Sequence, residues 1–277
     1  MILTIDIGNT TVALAGIKDG RVCFISHMET IRTATEADYR IRMEKAFSGA
    51  KYKPVRFEGA VLSSVVPEIT QAVASCAAAY CPQPPLIISP AMHTGLLMAV
   101  PEPEKVGRDR IVDAAAAAAF YPLPAVTVDM GTATTFNVID KDSRFLGGLI
   151  CPGLSTSLRA LSERCAQLPQ VRLSDPKAAI GTNTAECMVN GAVLGAAAMI
   201  DGISARIEAQ LGESVTVIVT GGLARFVVLH CQRPVVYEPE LLFKGMAALY
   251  EANRPTGPAA RGQASQNKKR RRKPHRH

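Results

Sequence analysis

The chain of 277 residues has no tryptophan and only 5% aromatic residues, yet its 48% hydrophobic content is enough for a sizeable core in one large or two medium domains. It also lacks any run of 18 uncharged apolar residues, and its N-terminus begins a strand pattern without the basic segment of a signal peptide. These absences argue against a membrane span and a signal peptide. We therefore expect a globular protein of the cytoplasm with no membrane partner.

Closely spaced cysteines and histidines are lacking as well. The seven cysteines are odd in number and scattered, and no CxxC motif occurs. A disulfide framework or a zinc site would show short paired spacings, so we expect reduced thiols. The five histidines are isolated or lie within the last three residues, so we expect no histidine-based metal site.

The net charge of +7 is confined to the end of the chain. Residues 254–277 contain nine lysines or arginines and no acid, which leaves 22 basic against 24 acidic residues in residues 1–253. This tail is rich in Pro, Gly, Ser and Gln and cannot bury enough apolar surface to fold alone. We expect a disordered basic tail without a specific nucleic-acid partner, although such clusters bind phosphate polymers non-specifically.

The first strand of the chain carries a carboxylate in an apolar run. Residues 2–11 read ILTIDIGNTT, so Asp6 is flanked by core residues and followed closely by Gly8 and Asn9. Burying a lone carboxylate costs several kcal/mol unless a partner compensates it. Asp6 therefore requires a partner that this stretch alone does not identify.

A weak internal repeat begins in the second half of the chain. The stretch VTVDMGTATTFNVI at 126–139 aligns with LTIDIGNTTVALAGI at 3–17 at an offset of 123. The alignment matches Thr4 with Thr127, Asp6 with Asp129, Gly8 with Gly131 and Thr11 with Thr134. It predicts two β-hairpins with an Asp at the end of each first strand.

Strand and helix patterns alternate around these hairpins. Apolar residues at helical spacing predict helices over 36–47, 69–80, 111–121, 154–167, 184–211 and 240–253. Short apolar runs predict further strands over 60–66, 86–89 and 215–222. The six consecutive alanines at 114–119 would allow another backbone to approach closely. The order predicts two α/β lobes of similar plan.

Two such hairpins suit a cleft that holds the phosphates of a nucleotide between lobes. Glycine lets backbone N–H groups approach phosphate oxygens, hydroxyls donate further hydrogen bonds, and a carboxylate holds a cation that offsets phosphate charge. One DxG is common at strand ends, whereas two at equivalent positions followed by TGG at 220–222 are a stronger signal. The partner of Asp6 would then be a metal ion. The device differs from a Walker A loop, because GxxxxGK[ST] is absent from the sequence.

A second motif, VGRDRIVDAAAA at 106–117, precedes the second hairpin. Gly107 permits a sharp entry into a helix, Asp109 can serve at the helix N-terminus, and Arg110 presents a planar fork for a carboxylate or phosphate. The simpler alternative is that Asp109 only caps the helix and Arg110 is a surface charge. Because the loop leads from one lobe into the other, we expect it at the mouth of the cleft. There a carboxylate can accept a proton from a hydroxyl aimed at a γ-phosphate.

These motifs together resemble those of the type III pantothenate kinases: DIGNT at 6–10, GRDR at 107–110, DMGTATT at 129–135, GGxxxPG at 147–153, NT at 183–184 and TGG at 220–222. The resemblance covers residues 1–253. It implies an α/β chain with a duplicated ribonuclease-H-like fold of the actin-like ATPase type and a nucleotide cleft between two lobes. The implied activity is ATP-dependent phosphorylation of pantothenate to 4′-phosphopantothenate, the first step of coenzyme A biosynthesis. The implied division is an N-terminal lobe at 1–120, a C-terminal lobe at 121–253 and the tail at 254–277.

The resemblance also implies a role for individual residues on the nucleotide side. The residues implied to bind ATP phosphates and Mg²⁺ are Asp6, Gly8, Asn9, Thr10 and Thr11, and Thr132 is a further ATP contact. Asp129 would hold a monovalent cation, K⁺ or NH₄⁺. Gly221 and Gly222 would let the backbone lie close to adenosine.

On the substrate side, the resemblance implies a pantothenate pocket lined by Gly107, Arg108, Asp109 and Arg110. Asp109 would be the general base on the pantothenate hydroxyl, and Arg110 would grip its carboxylate. Thr184 would be a further substrate contact near the subunit interface of a homodimer. Many relatives have a Tyr seven residues before the Gly of GxDR, where this chain has Val100, so one substrate contact departs from the family pattern.

Two alternatives belong to other classes. One is a non-catalytic regulator on the same fold, similar to a Bvg accessory factor, and the other is a different kinase or phosphatase of the superfamily acting on a sugar, acetate or polyphosphate. The presence of Asp6, Asp109, Arg110 and Asp129 argues against a catalytically inactive scaffold. The compact body and the GRDR loop favour pantothenate as the substrate.

Overall fold

The computed structural model describes residues 1–52, 56–89 and 91–254. Apart from Arg254, the predicted basic tail lies outside the described residues. The strands of the described residues form two mixed sheets. Each sheet has helices of its own, and two further helices lie between the sheets.

The first lobe is built around a five-stranded sheet in the order β3-β2-β1-β4-β5. Strands β1, β3, β4 and β5 run in one direction, whereas β2 runs antiparallel to its neighbours β1 and β3. The elements in chain order are β1 Ile2–Ile7, β2 Thr11–Lys18, β3 Arg21–Glu29, α1 Glu36–Gly49, β4 Gly59–Ser64, α2 Pro67–Ala78 and β5 Leu86–Ile87.

The second lobe repeats this plan and adds an edge strand. Its six strands have the order β11-β10-β7-β8-β9-β6, in which β8 is antiparallel to its neighbours β7 and β9 and the other five strands run in one direction. The elements are β6 Leu97–Met98, α3 Arg108–Phe120, β7 Ala125–Met130, β8 Ala133–Ile139, β9 Arg144–Pro152, α4 Leu154–Arg164, α5 Thr184–Leu211, β10 Thr216–Thr220, β11 Val236–Tyr237 and α6 Leu241–Asn253. The shared strand order confirms the predicted duplicated ribonuclease-H-like fold.

The longest helix, α5, has the bounds that its apolar spacing predicts. Asn183 caps its start by accepting a hydrogen bond from the Glu186 amide at 3.0 Å, and Gly212 ends it in a left-handed conformation. By length and composition alone α5 is a candidate to cross a membrane, with a mean hydropathy of 1.4. Central helices of soluble proteins share this property, and buried residues of α5 such as Val193 and Ile200 belong to the core of the second lobe.

Helices α3 and α6 pack against both sheets. On α3, Val112 and Ala115 join a cluster with Ile2 of the first sheet, whereas Ala114 and Ala117 join a cluster of the second. The two helices approach so closely that a Cβ added at Gly245 would lie 2.8 Å from the Val112 carbonyl oxygen. The alanine run therefore does permit a close backbone approach. The predicted boundary at residue 120 divides the chain by sequence alone. In space, β6 precedes this boundary but lies in the second sheet, and α6 follows it but covers the first sheet.

The register of the two hairpins corrects one predicted match. In the first turn the Gly8 amide donates to the Thr11 carbonyl, and in the second the Gly131 amide donates to the Ala133 carbonyl, both at 3.0 Å. The first turn is therefore one residue longer, and the offset drops to 122 beyond it. The predicted match of Thr11 with Thr134 is wrong by one residue, because Thr11 corresponds to Ala133.

Candidate active site

The turns of the two hairpins face each other. The side-chain hydroxyls of Thr10 and Thr132 lie 3.3 Å apart, although 122 residues separate them in the sequence. The residue after β3 fixes the first turn, because the Thr30 hydroxyl donates to the Gly8 carbonyl at 2.7 Å and its amide donates to the Thr10 carbonyl at 3.0 Å. The predicted cleft between the lobes is thus lined by both turns.

The second turn is fixed by the start of α4. The Gly153 amide and the Thr156 hydroxyl both donate to the Thr132 carbonyl, at 3.2 and 2.7 Å. A Cβ at Gly153 would lie 2.3 Å from the Gly131 carbonyl oxygen, so this position requires glycine. The last glycine of the GGxxxPG motif therefore holds the hairpin turn in place.

Carboxylates gather beneath the two turns. Asp6 and Asp129 are half-buried at the ends of β1 and β7. The loss of solvating water is still the largest cause of their shifted pKa values. Burial raises the pKa of Asp6 to about 7, with Asp109 and Asp129 adding repulsion that the nearby Ser63 hydroxyl only partly offsets. Burial, followed by the charge of Asp109, also raises the pKa of Asp129. The cluster holds more negative charge than the protein alone accommodates easily.

A fourth carboxylate belongs to this cluster and was missed in the sequence. Asp113 on α3 is only 1% exposed, and its Oδ1 has no hydrogen-bond partner within the described residues. Burial, then repulsion by Asp129, Asp109 and Asp6, raises its pKa well above the ordinary value. The signal available was its place one helical turn after Asp109, in an otherwise apolar stretch.

The first turn of α3 places Asp109 beside the cluster. Its Oδ1 accepts a hydrogen bond from the Arg110 amide at 2.9 Å, so the carboxylate caps the helix from within its first turn. Gly107 has φ −55° and ψ 140°, which any residue adopts, so the expected reason for glycine here was wrong. A Cβ at Gly107 would lie 2.5 Å from Asp109 Oδ1, so a larger residue here would displace that carboxylate from its present position.

Arg110 points from α3 into the second lobe. Its Nε donates to Asn137 Oδ1 at 2.7 Å, and its guanidinium lies 5.7 Å from the centre of the Phe145 ring. Burial lowers the pKa of Arg110, and the nearby charge of Asp109 acts against this effect. Val100 lies near the same strand, because its Cγ1 is 3.6 Å from a Cβ built at Gly147 on β9. Arg110 and Val100 therefore face the same part of β9.

Arg108 has a different place from Arg110. Its Nη1 donates to the carbonyls of Val106 and Glu104, at 3.0 and 3.3 Å. These contacts hold the loop before α3. In this structure Arg108 therefore stabilises the loop that carries Asp109.

The glycine motif after β10 lies against the cluster. A Cβ at Gly221, whose φ is +94°, would lie 2.5 Å from Asp129 Oδ1, whereas one at Gly222 would meet nothing within 4 Å. On the other side, Asn9 Oδ1 accepts a hydrogen bond from Arg32 at 2.8 Å, which places a cation beside the first turn. Arg32 was also missed, because it follows β3 and no motif marks it.

The comparison with known proteins begins with a family model. The model described as type III pantothenate kinase matches residues 2–206 of this chain, which is well over half of its length. The chain belongs to the type III pantothenate kinase family. The resemblance of its motifs is confirmed, and the chain is a kinase of this family.

Full-length relatives agree with the family model. A type III pantothenate kinase from Exiguobacterium sibiricum is 38% identical over 256 residues, which cover 92% of this chain and all of the relative. One from Halalkalibacterium halodurans is 36% identical over 253 residues, 91% of this chain and 100% of the relative. The match therefore extends over both lobes.

Solved structures of low identity share the fold. A Campylobacter jejuni protein described as a Baf family transcriptional activator has a TM-score of 0.57 at 18% identity, covering 90% of this chain and 97% of its own. The component A of (R)-2-hydroxyglutaryl-CoA dehydratase from Acidaminococcus fermentans has a TM-score of 0.52 at 15% identity, covering 90% and 96%. At these identities the likeness is one of fold alone.

One predicted site residue of this type III pantothenate kinase is not brought to the cleft within the described chain. Thr184 is exposed at the first position of α5, where its neighbours Thr182, Asn183 and Glu186 form the helix cap. An apolar groove of 370 Å³ lies between α4 and α5, and Cys187 and Met188, further along the same helix, are among the residues that line it.

Proposed function

We propose that the chain transfers the γ-phosphate of ATP to the hydroxyl of pantothenate at the cleft between the two hairpin turns. The observation that carries the proposal is the placement of Asp109 and Arg110 on the first turn of α3, beside the carboxylates that end β1 and β7. One end of this helix then offers a proton acceptor and a cation to the same small molecule. This arrangement fits a substrate with a hydroxyl at one end and a carboxylate at the other.

On the nucleotide side, the proposal assigns the phosphates of ATP to the two turns. Both turns present backbone amides and hydroxyls to the space between them, as the proximity of Thr10 and Thr132 indicates. The residues proposed to contact ATP are Asp6, Gly8, Asn9, Thr10, Thr11, Thr132, Gly221 and Gly222. The open space at Gly222 suits the close approach of adenosine.

The carboxylate cluster fits cations that neutralise phosphate charge. Within the described ranges, no three acidic, histidine or cysteine side chains converge closely enough to hold a metal ion alone. Mg²⁺ commonly uses one or two carboxylates and completes its coordination with substrate phosphates and water, so this donor set suits it. We assign Asp6 to Mg²⁺ and Asp129 to K⁺ or NH₄⁺. When bound, these ions offset the negative charge that gathers during phosphoryl transfer.

On the substrate side, Asp109 is the proposed general base. Its carboxylate is fixed by the Arg110 amide, so it can accept the proton of the pantothenate hydroxyl without leaving its position. Arg110 binds the carboxylate of pantothenate, because its guanidinium is oriented by Asn137 and paired with no acid among the described residues. Gly107, Arg108 and Val100 complete the wall of this pocket.

A homodimer would complete the site with Thr184 of a second copy. The groove between α4 and α5 is apolar, and Leu161 in it and Ile150 beside it are 42% and 65% exposed. At Gly191 and Gly195 an added Cβ would meet nothing within 4 Å, so a second helix can approach closely. We assign this face to the dimer and the protein to the cytoplasm, with no specific nucleic acid as partner.

An assay of ADP release tests the substrate assignment. The protein is supplied with ATP, Mg²⁺ and K⁺ and offered pantothenate, glycerol, acetate and hexoses in parallel. We expect turnover with pantothenate alone. Turnover with a sugar or with acetate would assign the chain to another activity of the superfamily, and no turnover with any of them would favour the regulatory alternative.

A further inference from the structure

Asn137 is a buried amide for which the proposed reaction has so far no role. It lies in the middle of β8 with no exposed surface, paired with Thr127 on β7 and with Gly148 on β9. Its Oδ1 accepts from Arg110 Nε at 2.7 Å, and its Nδ2 donates to the Thr127 hydroxyl at 3.0 Å. Arg110, Asn137 and Thr127 thus form a continuous chain of hydrogen bonds.

The chemistry of the three groups fixes the orientation of this amide. A guanidinium has only donors, so the side of Asn137 that faces Arg110 must be the oxygen. The amide nitrogen then faces Thr127, whose hydroxyl can accept. Because both partners are satisfied in one orientation only, Asn137 holds the guanidinium from a fixed point of the sheet.

The first lobe shows that the fold itself does not need an amide at this position. The residue paired with Thr4 on β2, as Asn137 is paired with Thr127, is Ala15. There the Thr4 hydroxyl donates to the Ala15 backbone carbonyl at 3.2 Å instead of contacting a side chain. The amide is therefore specific to the lobe that faces Arg110.

The glycine opposite Asn137 keeps space free for the guanidinium. A Cβ at Gly148 would lie 1.7 Å from the Phe136 carbonyl oxygen and 3.2 Å from Arg110 Nη2. The nearest backbone acceptor, the Phe136 carbonyl, is 3.5 Å from Nη2, which is a weak contact. Among the described residues Arg110 therefore has one strong partner, at Nε, and the other edge of its guanidinium is left for a ligand.

We infer that Asn137 is a positioning residue for substrate recognition: it orients Arg110 towards the substrate carboxylate without neutralising the guanidinium charge. The inference rests on the proposed role of Arg110. An aspartate at position 137 would hold Arg110 equally well in space but would pair with its charge. The neutral acceptor leaves the whole positive charge for the substrate, since a buried ion pair attracts a further anion weakly.

The test compares pantothenate with its neutral analogue, in which a hydroxymethyl group replaces the carboxylate. For Asn137→Asp we expect kcat/KM with pantothenate to fall about tenfold to a hundredfold, the worth of a hydrogen-bonded contact to a charged group. The loss lies in KM, whereas kcat and the KM for ATP stay near the wild-type values. With the neutral analogue kcat/KM should be unchanged, so the preference for the acid collapses.

A second variant tests the inference without changing Asn137 itself, in case Asn137→Asp impairs folding. Thr127→Val keeps the shape of the strand and leaves the Asn137 amide less firmly held, so it should raise the KM for pantothenate in the same direction by a smaller factor. The matched control is Thr4→Val, which removes the equivalent hydroxyl in the first lobe and should leave the preference unchanged. Melting temperatures of all three variants check that the fold is retained.

The outcomes separate the inference from the proposed function. If wild-type protein turns over both compounds with equal kcat/KM, the role of Arg110 itself is wrong. If wild-type protein prefers the acid but Asn137→Asp and Thr127→Val keep that preference, Asn137 only satisfies buried polar groups and the inference is wrong. Equal losses with both compounds would likewise overturn it, because they would show a general defect of the site.

Discussion

The two hairpins of this chain share a backbone and differ in the helix that covers them. Over β1 and β2 lies α6, whose Phe243 and Ala247 pack against Ala13 and Ala15 in an apolar cluster. Over β7 and β8 lies α3, which brings Arg110 to Asn137. The hairpin of the first lobe is therefore covered by apolar side chains, whereas the equivalent hairpin of the second lobe has a polar contact with its covering helix.

In our proposal, this difference makes the reaction of a duplicated fold one-sided. Both copies keep the Asp and the glycine of the turn, which serve the phosphates and the cations in our proposal. The residues that we propose for the substrate lie on one copy only, on the first turn of α3 and on the strands beneath it. A fold that is nearly symmetric in its backbone is thus asymmetric in the charges at its cleft.

The largest expected effect concerns Asp109, which has no acidic counterpart among the buried residues of α6. Asp109→Asn keeps the size and the acceptor for the Arg110 amide but cannot take the proton of a hydroxyl. We expect kcat to fall by about 10²–10⁴-fold, with the melting temperature and ATP binding nearly unchanged. Steady-state kinetics with pantothenate and a thermal melt measure both.

The control for this variant is Asp142→Asn, a change at an exposed acid in the turn between β8 and β9. It should leave kcat unchanged. Near-normal turnover in Asp109→Asn would show that Asp109 only caps the helix, which is the simpler interpretation of its hydrogen bond.

A second prediction compares the paired aspartates of the two hairpins. The folded-state pKa of Asp6, at about 7, lies above its ordinary value of 3.8, so the folded state binds more protons between these values. The contribution of Asp6 to stability is therefore fully present below pH 3.8 and is lost as the pH rises through about 7. Asp6→Asn and Asp129→Asn should each raise the melting temperature of the ligand-free protein near pH 8 and flatten its decline with pH.

The melting temperatures of the two variants should differ in how they respond to monovalent cations. In thermal melts, K⁺ in place of Na⁺ should stabilise wild-type protein and Asp6→Asn but not Asp129→Asn, because we assign the monovalent ion to Asp129. In the wild-type protein, kcat should rise several-fold with K⁺ or NH₄⁺ over Na⁺. Melting curves that are alike in both salts for wild-type protein would remove the monovalent site from the proposal.

The smallest expected effect concerns the strand opposite each hairpin. The position that is Gly148 on β9 corresponds to Ile25 on β3, because these residues pair with Asn137 and Ala15. Gly148→Ala should destabilise the fold by about 1–3 kcal/mol or more, since its Cβ would overlap the Phe136 carbonyl. Urea unfolding measures the change.

The matched control is Gly202→Ala on α5, where an added Cβ meets nothing within 4 Å. That change should stabilise the protein by about 0.5–1 kcal/mol, because alanine is the better helix former. If Gly148→Ala is as harmless as Gly202→Ala, the second hairpin does not depend on close packing with β9.

The sequence predicts what is local and regular in this fold. Helix α5 is long, apolar and capped at both ends, so its bounds follow from the sequence, and the two DxG turns mark both hairpins. Strand β9 was missed, because Gly147, Gly148 and Pro152 are residue types depleted in strands. Strands β6 and β11 have two residues each, which is too short for any periodic signal.

The residues of the candidate site likewise fall into those that the sequence predicts and those that it does not. Asp6, Asp109 and Asp129 are marked by motifs that stand at the ends of regular elements. The contact between Arg110 and Asn137 depends on the register of β8 and on the docking of α3, neither of which a linear pattern contains. Asp113 was hidden for a related reason: an acid in an alanine-rich helix gains meaning only when the helix is seen to be buried on every side.

The placement of α3 and α6 has a consequence for how the chain could have arisen. Each half of the sequence ends in a helix that covers one face of the hairpin of the other half, so that face of each hairpin is not covered from within its own half. An ancestor of half this length would have had to exchange its last helix with a second copy to bury that surface. In the present chain this exchange lies within one polypeptide, so we expect its two halves to unfold together.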